Sequence, residues 1–344
     1  MSFESPLAHT APIPNPQPAT HNSLMLSIII ATRGSALALA QANAVLTQCH
    51  TAFPQLTFEL KIIKTTGDKL QTASLSKEGE SLPKGLFTKE LEIALLEGHA
   101  DFAVHSLKDL PTELPAGLIL GAIGKRADVR DVLIYRDVGV TDKRGFKSKL
   151  AIEDLPPGAT VGTSSTRRKA QLLGHRPDLK VVEHRGNVLT RIEKLASQAE
   201  LDAIVLAAAG LERLNFHIAA DGKFTGEGLP AGLLATVLEP EVMLPCVGQG
   251  ALGIETREHD EHIAAICQGL NHLATQQCVT AERAFLAAMG GGCQSPVAAY
   301  AEILGDRIWM RAASFREGPV RRGEDKRPVR EAFELGRQLA EELK

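Results

Sequence analysis

Apolar runs that favour strands alternate with segments of helical period along most of this chain, and this alternation restricts the fold more than any other feature. Residues 26–32 form such a run and are followed by the helical pattern of residues 35–49, and residues 201–207 are followed in the same way by residues 211–215. Alternation of this kind is typical of α/β proteins whose helices connect mostly parallel strands. The sequence therefore predicts an α/β fold with mostly parallel sheets.

The other predicted elements continue this pattern in two successive runs. They are strands at residues 56–64, 101–105, 160–162 and 179–183, and helices at residues 86–97, 166–174 and 187–198. Residues 137–157, between the runs, are charged and rich in turn-forming residues, so they predict an excursion between or out of domains. Beyond the second run, residues 263–289 are largely helical, Gly290-Gly291-Gly292 ends that helix, and residues 298–314 and 329–343 predict strands and a closing helix. This last part predicts a small third domain.

The first 23 residues differ in composition from all that follow. They contain five prolines and neither Lys nor Arg, which predicts a disordered leader. A secretory signal or a mitochondrial presequence needs an early positive charge, but the first Lys or Arg is Arg33. The longest apolar run near the start, residues 24–31, is too short to span a bilayer. We therefore expect a cytoplasmic protein without a membrane partner.

The charge balance argues against a protein that binds polyanions over its whole surface. Lys and Arg number 38 against 41 Asp and Glu, a formal net charge of −3, so no basic excess indicates a nucleic acid or an anionic membrane as partner. Aromatic residues make up only 4% of the chain, which argues against stacking surfaces for single strands. Any anion-binding site must therefore be local.

The cysteines indicate neither a disulfide framework nor a zinc cluster. They stand at Cys49, Cys246, Cys267, Cys278 and Cys293. Their number is odd, their spacing is wide and no C-x-x-C pair occurs, which fits a reducing compartment. Cys293 differs from the others because Gly290-Gly291-Gly292 precede it, and a thiol in so adaptable a loop can reach a ligand. We expect Cys293 to be a candidate nucleophile and the other four to pack as small apolar side chains.

Hydroxyl groups and arginines recur where a predicted strand is followed by a helix. The two segments are Ala31-Thr32-Arg33-Gly34-Ser35 and Gly162-Thr163-Ser164-Ser165-Thr166-Arg167-Arg168. Helix N-termini offer free N–H groups and a positive dipole end to an anion. Each segment alone could be a Ser or Thr N-cap beside a solvated arginine. Their recurrence favours a shared anionic ligand between two lobes.

The second run of elements is rich in arginine. Its arginines include Arg167, Arg168, Arg185, Arg191 and Arg213. Guanidinium groups bind carboxylates in bidentate geometry and stay charged at any workable pH. One interpretation is therefore a polycarboxylate or phosphate ligand. The other is local pairing, in which Arg191 meets Glu183 or Glu193.

The segment Val104-His105-Ser106-Leu107-Lys108-Asp109-Leu110-Pro111 leaves a predicted strand and turns at a proline. Ligand sites of open α/β sheets lie at such strand ends. Lys108 could supply a cation for a ligand carboxylate, and Asp109 a carboxylate for acid–base or cation-stabilising chemistry. A charged turn pair without a ligand is the alternative. We expect His105 to be a hydrogen-bonded structural histidine rather than a base.

Taken together, these segments resemble the porphobilinogen deaminase family, also called hydroxymethylbilane synthases. Further matching segments, in the family's order, are Lys84-Gly85-Leu86-Phe87-x-Lys89-Glu90-Leu91, Arg185-Gly186-Asn187-Val188-Leu189-Thr190-Arg191, Val247-Gly248-Gln249-Gly250-Ala251 and Gly292-Cys293-Gln294. The resemblance extends from about Leu26 to the C-terminal helix. Seven matching segments in one order are difficult to attribute to chance.

The resemblance implies a transferase with a covalent cofactor. In the family, a dipyrromethane made from two porphobilinogen units is attached through a thioether to the cysteine that matches Cys293. Four further porphobilinogen molecules are condensed onto it with loss of ammonia, and linear 1-hydroxymethylbilane is released for tetrapyrrole and haem biosynthesis. The expected partner is thus the small molecule porphobilinogen, with no nucleic acid and no metal, and we expect a monomer.

The resemblance also assigns roles to individual residues. Asp109 matches the family's catalytic aspartate, which stabilises the azafulvene cation formed when ammonia leaves, and Lys108 and Arg33 assist it. Residues expected to bind the cofactor are Cys293, Asp109, Lys108, Ser165, Arg167, Arg168 and Arg185. Residues expected to bind substrate carboxylates are Arg33, Ser35, Arg185, Arg191 and Arg213. Leu189 departs from the family, which usually has a small residue there.

The implied fold consists of two lobes like those of periplasmic binding proteins and a small α+β C-terminal domain that presents the cysteine. On this basis we divide the chain into a leader, a first lobe, a second arginine-rich lobe and the C-terminal domain. The divisions are residues 1–23, residues 24–128 with about 249–268 returning, residues 129–248 and residues 269–344.

Two other functions remain open at this point. A non-catalytic two-lobe anion-binding protein would use the same helix N-termini and arginines, but such binders are typically exported and need neither Cys293 nor Asp109. A phosphate-transferring enzyme would need a G-x-x-x-x-G-K-[ST] loop, which the chain lacks.

Overall fold

The computed structural model describes residues 27–67, 88–292, 295–316 and 319–344. Two lobes, each built on a five-stranded sheet, are joined to a smaller C-terminal domain. This arrangement confirms the expected α/β fold with two sheet-containing lobes. The expected leader, residues 1–23, lies outside the described residues. No helix in the described part of the chain has the length and apolar character needed to cross a membrane.

The elements are numbered in chain order. The strands are β1 (Ile28–Arg33), β2 (Phe58–Ile63), β3 (Phe102–Ser106), β4 (Leu118–Ile123), β5 (Asp131–Arg136), β6 (Thr160–Gly162), β7 (Lys180–Val182), β8 (Ala203–Ala207), β9 (His217–Ile218), β10 (Phe224–Thr225), β11 (Leu233–Leu238), β12 (Leu252–Arg257), β13 (Val297–Leu304), β14 (Arg307–Ser314) and β15 (Arg321–Pro328). The helices are α1 (Ala36–Ala52), α2 (Lys89–Leu96), α3 (Thr166–His175), α4 (Val188–Ser197), α5 (Ala208–Arg213), α6 (Glu261–Leu270), α7 (Leu273–Ala288) and α8 (Ala332–Leu343).

The first lobe has the strand order β2-β1-β3-β12-β4. Its central strands are apolar on both faces because helices cover both sides of the sheet. On one side Ile30, Val45 and Phe102 belong to a core that joins α1 and α6 to the sheet. On the other side Leu91 and Leu95 of α2 pack against the sheet. The sheet therefore holds the ends of β1 and β3 rigidly side by side.

The second lobe has the strand order β11-β5-β8-β6-β7. Leu133, Val161 and Val205 belong to the core on one side of this sheet. Ile134 and Ile192 belong to the core on the other side, beneath α4. Like the first sheet, this sheet is buried on both faces and presents its strand ends to the space between the lobes.

The expectation of mostly parallel sheets is confirmed, because four of the five strands of each sheet run in one direction and a single strand runs the opposite way. In the first sheet β1 is parallel to β2 and β3, but β12 is antiparallel to β3 and β4. In the second sheet β6 is parallel to β7 and β8, but β5 is antiparallel to β8 and β11. The reason is that β5 and β12 follow the two crossings between the lobes. Each enters its sheet at the carboxyl ends of the parallel strands and so runs the opposite way.

The composition of residues 137–157 predicted an excursion between or out of domains. In the structure this segment instead packs on the second lobe. Phe146 forms a bridge with Asp137 beside the second sheet. Leu150, Ile152 and Leu155 are buried in the core of the second lobe. This position follows from the three apolar side chains, whose burial outweighs the exposure of the charged residues between them.

The C-terminal domain is an antiparallel sheet of β13, β14 and β15 covered on one face by α7 and α8. Phe285 and Leu335 are fully buried between the helices and the sheet. The two helices approach closely at Gly336, where an added Cβ would lie 2.0 Å from the Ala281 carbonyl oxygen. Only glycine fits there without moving a helix.

A buried ion pair joins the C-terminal domain to the first crossing. Arg126 donates two hydrogen bonds to Glu282 of α7, at 2.6 Å and 3.0 Å. The same carboxylate accepts the backbone N–H groups of Gly248 and Ala301. Glu282 therefore connects both crossings and the C-terminal sheet through one buried charge.

Candidate active site

A cavity of about 550 Å³ lies between the two lobes at the carboxyl ends of the parallel strands. Its position follows from the topology, because loops after parallel strands leave room for a ligand at this edge of a sheet. Seven of the residues expected to form the site line it. They are Arg33, Ser35, Lys108, Asp109, Arg168, Arg191 and Arg213.

The end of β1 places Arg33 and Ser35 at the cavity. Ser35 is the N-cap of α1, and its Oγ accepts a hydrogen bond from the backbone N–H of Ala38 at 3.3 Å. The cap fixes where the helix begins and turns its N-terminus toward the cavity. Capping and cavity lining are therefore both properties of Ser35, and neither excludes the other.

The end of β3 presents Lys108 and Asp109 from a single 3₁₀ turn, Leu107–Asp109. Leu107 and Leu110 are buried on either side of the pair and anchor the turn. Lys108 Nζ lies 3.5 Å from the side-chain oxygen of Gln249. Burial lowers the pKa of Lys108, and the positive charge of Arg168 lowers it further. Asp109 remains exposed to the cavity.

A fully buried carboxylate, Asp131, organises the second-lobe side of the site. Its Oδ1 accepts from Arg168 Nη2 at 2.7 Å, and its Oδ2 lies 2.8 Å from Arg167 Nη2. Gln249 also donates to Oδ1, at 3.0 Å. Because Gln249 contacts Lys108 as well, it connects Asp131 and its two arginines to Lys108. Burial alone would raise the pKa of Asp131, but the two guanidinium groups outweigh it and lower the pKa to about 2. Asp131 is therefore ionised at neutral pH.

Arg191 and Arg213 reach the cavity with carbonyl oxygens as hydrogen-bond partners. Arg191 Nε donates to the Gly186 carbonyl at 2.7 Å, and Arg213 Nη2 donates to the Gly250 carbonyl at 2.7 Å. Burial and the nearby charge of Arg168 lower the pKa of Arg191 to about 10. Burial also lowers the pKa of Arg213. Both shifts arise chiefly because burial removes the guanidinium groups from water, and an anionic ligand in the cavity would stabilise their charged forms.

Three of the residues expected to bind the cofactor do not line the cavity. Arg167 is buried and donates to the Leu244 carbonyl as well as pairing with Asp131. Arg185 is exposed and pairs with Glu183. Arg191 donates to the Gly186 carbonyl, and in the described structure it forms no ion pair with Glu183 or Glu193. Ser165 is the N-cap of α3 and accepts from the backbone N–H of Arg168 at 3.4 Å.

The described cysteines are free thiols, and three of them are buried in the cores. Burial raises the pKa of Cys49 to about 11 and the pKa values of Cys267 and Cys278 to about 12. These thiols are not poised for nucleophilic chemistry, which confirms the expectation of ordinary packing for them. Cys246 is partly exposed. Cys293 lies outside the described residues.

His105 lies beside the site but not in it. Its Nε2 is 3.0 Å from a carboxylate oxygen of Glu255, and both side chains are buried between β3 and β12. This confirms a structural histidine rather than a base facing the cavity.

The structure adds residues that the sequence did not single out. Asp131 was missed because its arginine partners are distant in sequence, and only the charge at the start of a buried strand could have drawn attention to it. Glu227 and Phe216 also line the cavity, from the segments around the β9–β10 hairpin. No signal in the sequence pointed to either.

Comparison with known proteins gives two adjoining family matches. Residues 28–265 match "Porphobilinogen deaminase, dipyromethane cofactor binding domain", and residues 276–344 match "Porphobilinogen deaminase, C-terminal domain". The porphobilinogen deaminase of Desulforamulus reducens is 42% identical over 318 residues, covering 92% of this chain and 94% of the relative. That of Syntrophus aciditrophicus is 45% identical over 316 residues, covering 91% and 94%.

Among solved structures, the methionine-binding protein MetQ is 13% identical, with a TM-score of 0.38 over 73% of this chain and 90% of that chain. That likeness is too weak to support a functional conclusion. The sequence matches are much stronger, because they cover nearly the full length of both this chain and its relatives at 42% and 45% identity. This chain belongs to the porphobilinogen deaminase family.

Proposed function

We propose that this chain condenses four porphobilinogen molecules head to tail with loss of ammonia and releases linear 1-hydroxymethylbilane by hydrolysis. One observation supports this above the others: a single cavity between the lobes holds five cationic side chains around Asp109. The cations are Arg33, Lys108, Arg168, Arg191 and Arg213. Each pyrrole of the substrate carries an acetate and a propionate, so the growing chain accumulates carboxylates that this cavity can bind.

The arginines bind these carboxylates and hold the pyrroles in place. Guanidinium forks bind carboxylates in bidentate geometry, which fixes orientation as well as position. Arg168 is itself held by Asp131 and by the Val205 carbonyl, which fixes its positive charge at the cavity wall. Arg185 is exposed on its Glu183 partner, and a ligand carboxylate can take the place of Glu183. Arg167 pairs with Asp131, and Ser165 caps the start of α3. Both residues therefore position the part of the site that binds the cofactor.

Asp109 is the catalytic residue of this proposal. It accepts hydrogen bonds from pyrrole N–H groups and stabilises the positive charge that appears on the substrate when the C–N bond breaks. A fixed carboxylate is effective here because it is in place before the charge develops. Lys108 and Arg33, beside it, hold substrate carboxylates at the reacting end.

The residues present fit a dipyrromethane cofactor. Its four carboxylates are complementary to the cationic side chains that line the cavity, among them Lys108, Arg191 and Arg213. When bound, the cofactor supplies the free pyrrole carbon to which the first substrate is joined. In this proposal the cofactor is attached to Cys293. The carboxylates of the cofactor are bound by Ser165, Arg167, Arg168 and Arg185.

The test is to incubate the purified protein with porphobilinogen and to measure ammonia and hydroxymethylbilane together. The proposal expects four ammonia molecules per tetrapyrrole released. Binding of porphobilinogen without ammonia release would instead support the non-catalytic anion-binding alternative, which family membership does not favour.

The same proposal includes the domain divisions, the compartment and the assembly state expected from the sequence. The divisions are residues 1–23, residues 24–128 with about 249–268 returning, residues 129–248 and residues 269–344. The free thiols buried in the cores fit a reducing cytoplasm. Light scattering of the purified protein would test the monomer, and a mass of twice the chain would contradict it.

A further inference from the structure

The proposed function leaves one carboxylate of the cavity without a role. Glu227 lines the cavity together with Asp109 and the five cations. The side chain is exposed, and it makes no hydrogen bond or ion pair with any described residue. Glu227 and the five cations therefore line one cavity without a hydrogen bond or ion pair that joins Glu227 to any of them.

The local backbone holds Glu227 at the cavity. It stands in a turn between two glycines, closed by a hydrogen bond from the Leu229 N–H to the Gly226 carbonyl at 3.3 Å. Gly228 has φ +75°, which favours glycine. An added Cβ on Gly226 would lie 2.4 Å from the ring of Phe216, which itself lines the cavity. The turn therefore packs directly on the cavity wall.

The substrate carries a positive group that can pair with the Glu227 carboxylate. At neutral pH porphobilinogen carries two carboxylates and one aminomethyl ammonium. The five cations attract the carboxylates of the substrate but repel its ammonium group. In a cavity with cations alone, this repulsion would weaken substrate binding. In the proposed function Asp109 is engaged by pyrrole N–H groups, which leaves Glu227 as the other acidic side chain among the described residues that line the cavity.

We propose that Glu227 is a specificity-determining residue that receives the aminomethyl ammonium of each incoming porphobilinogen. This inference rests on the proposed function and names the substrate group that Glu227 recognises. The contact is made with the bound substrate before the C–N bond breaks. Its loss therefore raises KM more than it lowers kcat. It also gives the site a preference for an ammonium over an uncharged group at that position.

The test compares Glu227→Gln with the wild-type enzyme. KM is measured with porphobilinogen, and the inhibition constant is measured for its 2-hydroxymethyl analogue, in which a hydroxyl replaces the ammonium. The expected result is a KM for porphobilinogen raised about tenfold, with kcat within about twofold, and an unchanged inhibition constant for the analogue. The matched control is Asp221→Asn, on the same hairpin but outside the cavity, which should change none of these values.

The outcomes separate this inference from the proposed function. Normal wild-type turnover with an unchanged KM in Glu227→Gln would overturn the inference alone. An equal loss of affinity for porphobilinogen and for the analogue would also overturn it, because the substitution would then be acting on the turn rather than on the ammonium. A wild-type protein that does not consume porphobilinogen would overturn both. Thermal unfolding of the variant checks that the fold is intact.

Discussion

Replacing Asp131 by Asn removes one buried negative charge and leaves the shape of the side chain nearly unchanged. Arg167 and Arg168, only 3% and 6% exposed, would then share a buried site with no counterion in contact. Breaking a buried ion pair in this way commonly costs about 3 to 5 kcal/mol. The expected result is a loss of that size in the free energy of unfolding at neutral pH.

The pH dependence gives a second measure of the same interaction. The pKa of Asp131 falls from 3.8 to about 2 on folding. Because the folded pKa is lower, the stabilisation is complete above about pH 5 and is lost progressively as the pH falls to about 1. The shift corresponds to about 2.5 kcal/mol. Asp131→Asn should lack this part of the acid destabilisation.

Urea unfolding of the wild-type protein and Asp131→Asn between pH 3 and pH 7 measures both effects. The matched control is Asp178→Asn, an exposed partner of Arg176, for which we expect a change below about 1 kcal/mol. A loss below 1 kcal/mol for Asp131→Asn at neutral pH, or equal acid sensitivity in both proteins, would refute the role given to this carboxylate.

Three further predictions concern the site and the fold. Asp109→Asn should lower kcat about 10²- to 10³-fold with little change in KM, measured by steady-state kinetics, and a variant within a few-fold of wild type would assign the role elsewhere. Arg191→Lys should raise KM for porphobilinogen while the thermal midpoint stays within a few degrees, because a single ammonium cannot form the bidentate contact, and unchanged kinetics would contradict this. Gly336→Ala should lower the free energy of unfolding by about 1 to 3 kcal/mol, since its Cβ would meet the Ala281 carbonyl, and calorimetry showing no change would disprove the close contact.

Sequence patterns predicted β8 from its continuous apolar run, but the largely apolar strands β4 and β11 were not assigned. Residues 201–207 were expected as a strand, and the structure has β8 at Ala203–Ala207. By contrast, β5 was not assigned, because it begins with Asp131 and ends with Arg136, and these charges are buried against Arg168 and the Gln198 carbonyl, which are distant in sequence. The edge strand β15 was also missed, since its charged residues carry no apolar alternation.

The sequence predicted those site residues whose charged side chains stand at the end of a predicted strand. Arg33 ends β1, Lys108 and Asp109 lie in the turn after β3, and the structure brings all three to one cavity. The direction of the crossing strands could not be inferred, because it depends on which lobe the chain enters from. Glu227 could not be inferred either, since its position depends on a turn that packs against Phe216.

The central claim is that a covalent dipyrromethane on Cys293 is the working cofactor of this chain. Intact-mass measurement followed by peptide mapping tests it most directly, on the wild-type protein, Cys293→Ala and the matched control Cys246→Ala. The expected result is a dipyrromethane adduct in the wild-type protein and in Cys246→Ala, located on the peptide that contains Cys293, and no adduct and no tetrapyrrole product in Cys293→Ala. An adduct on a peptide without Cys293, or normal turnover in Cys293→Ala, would contradict it.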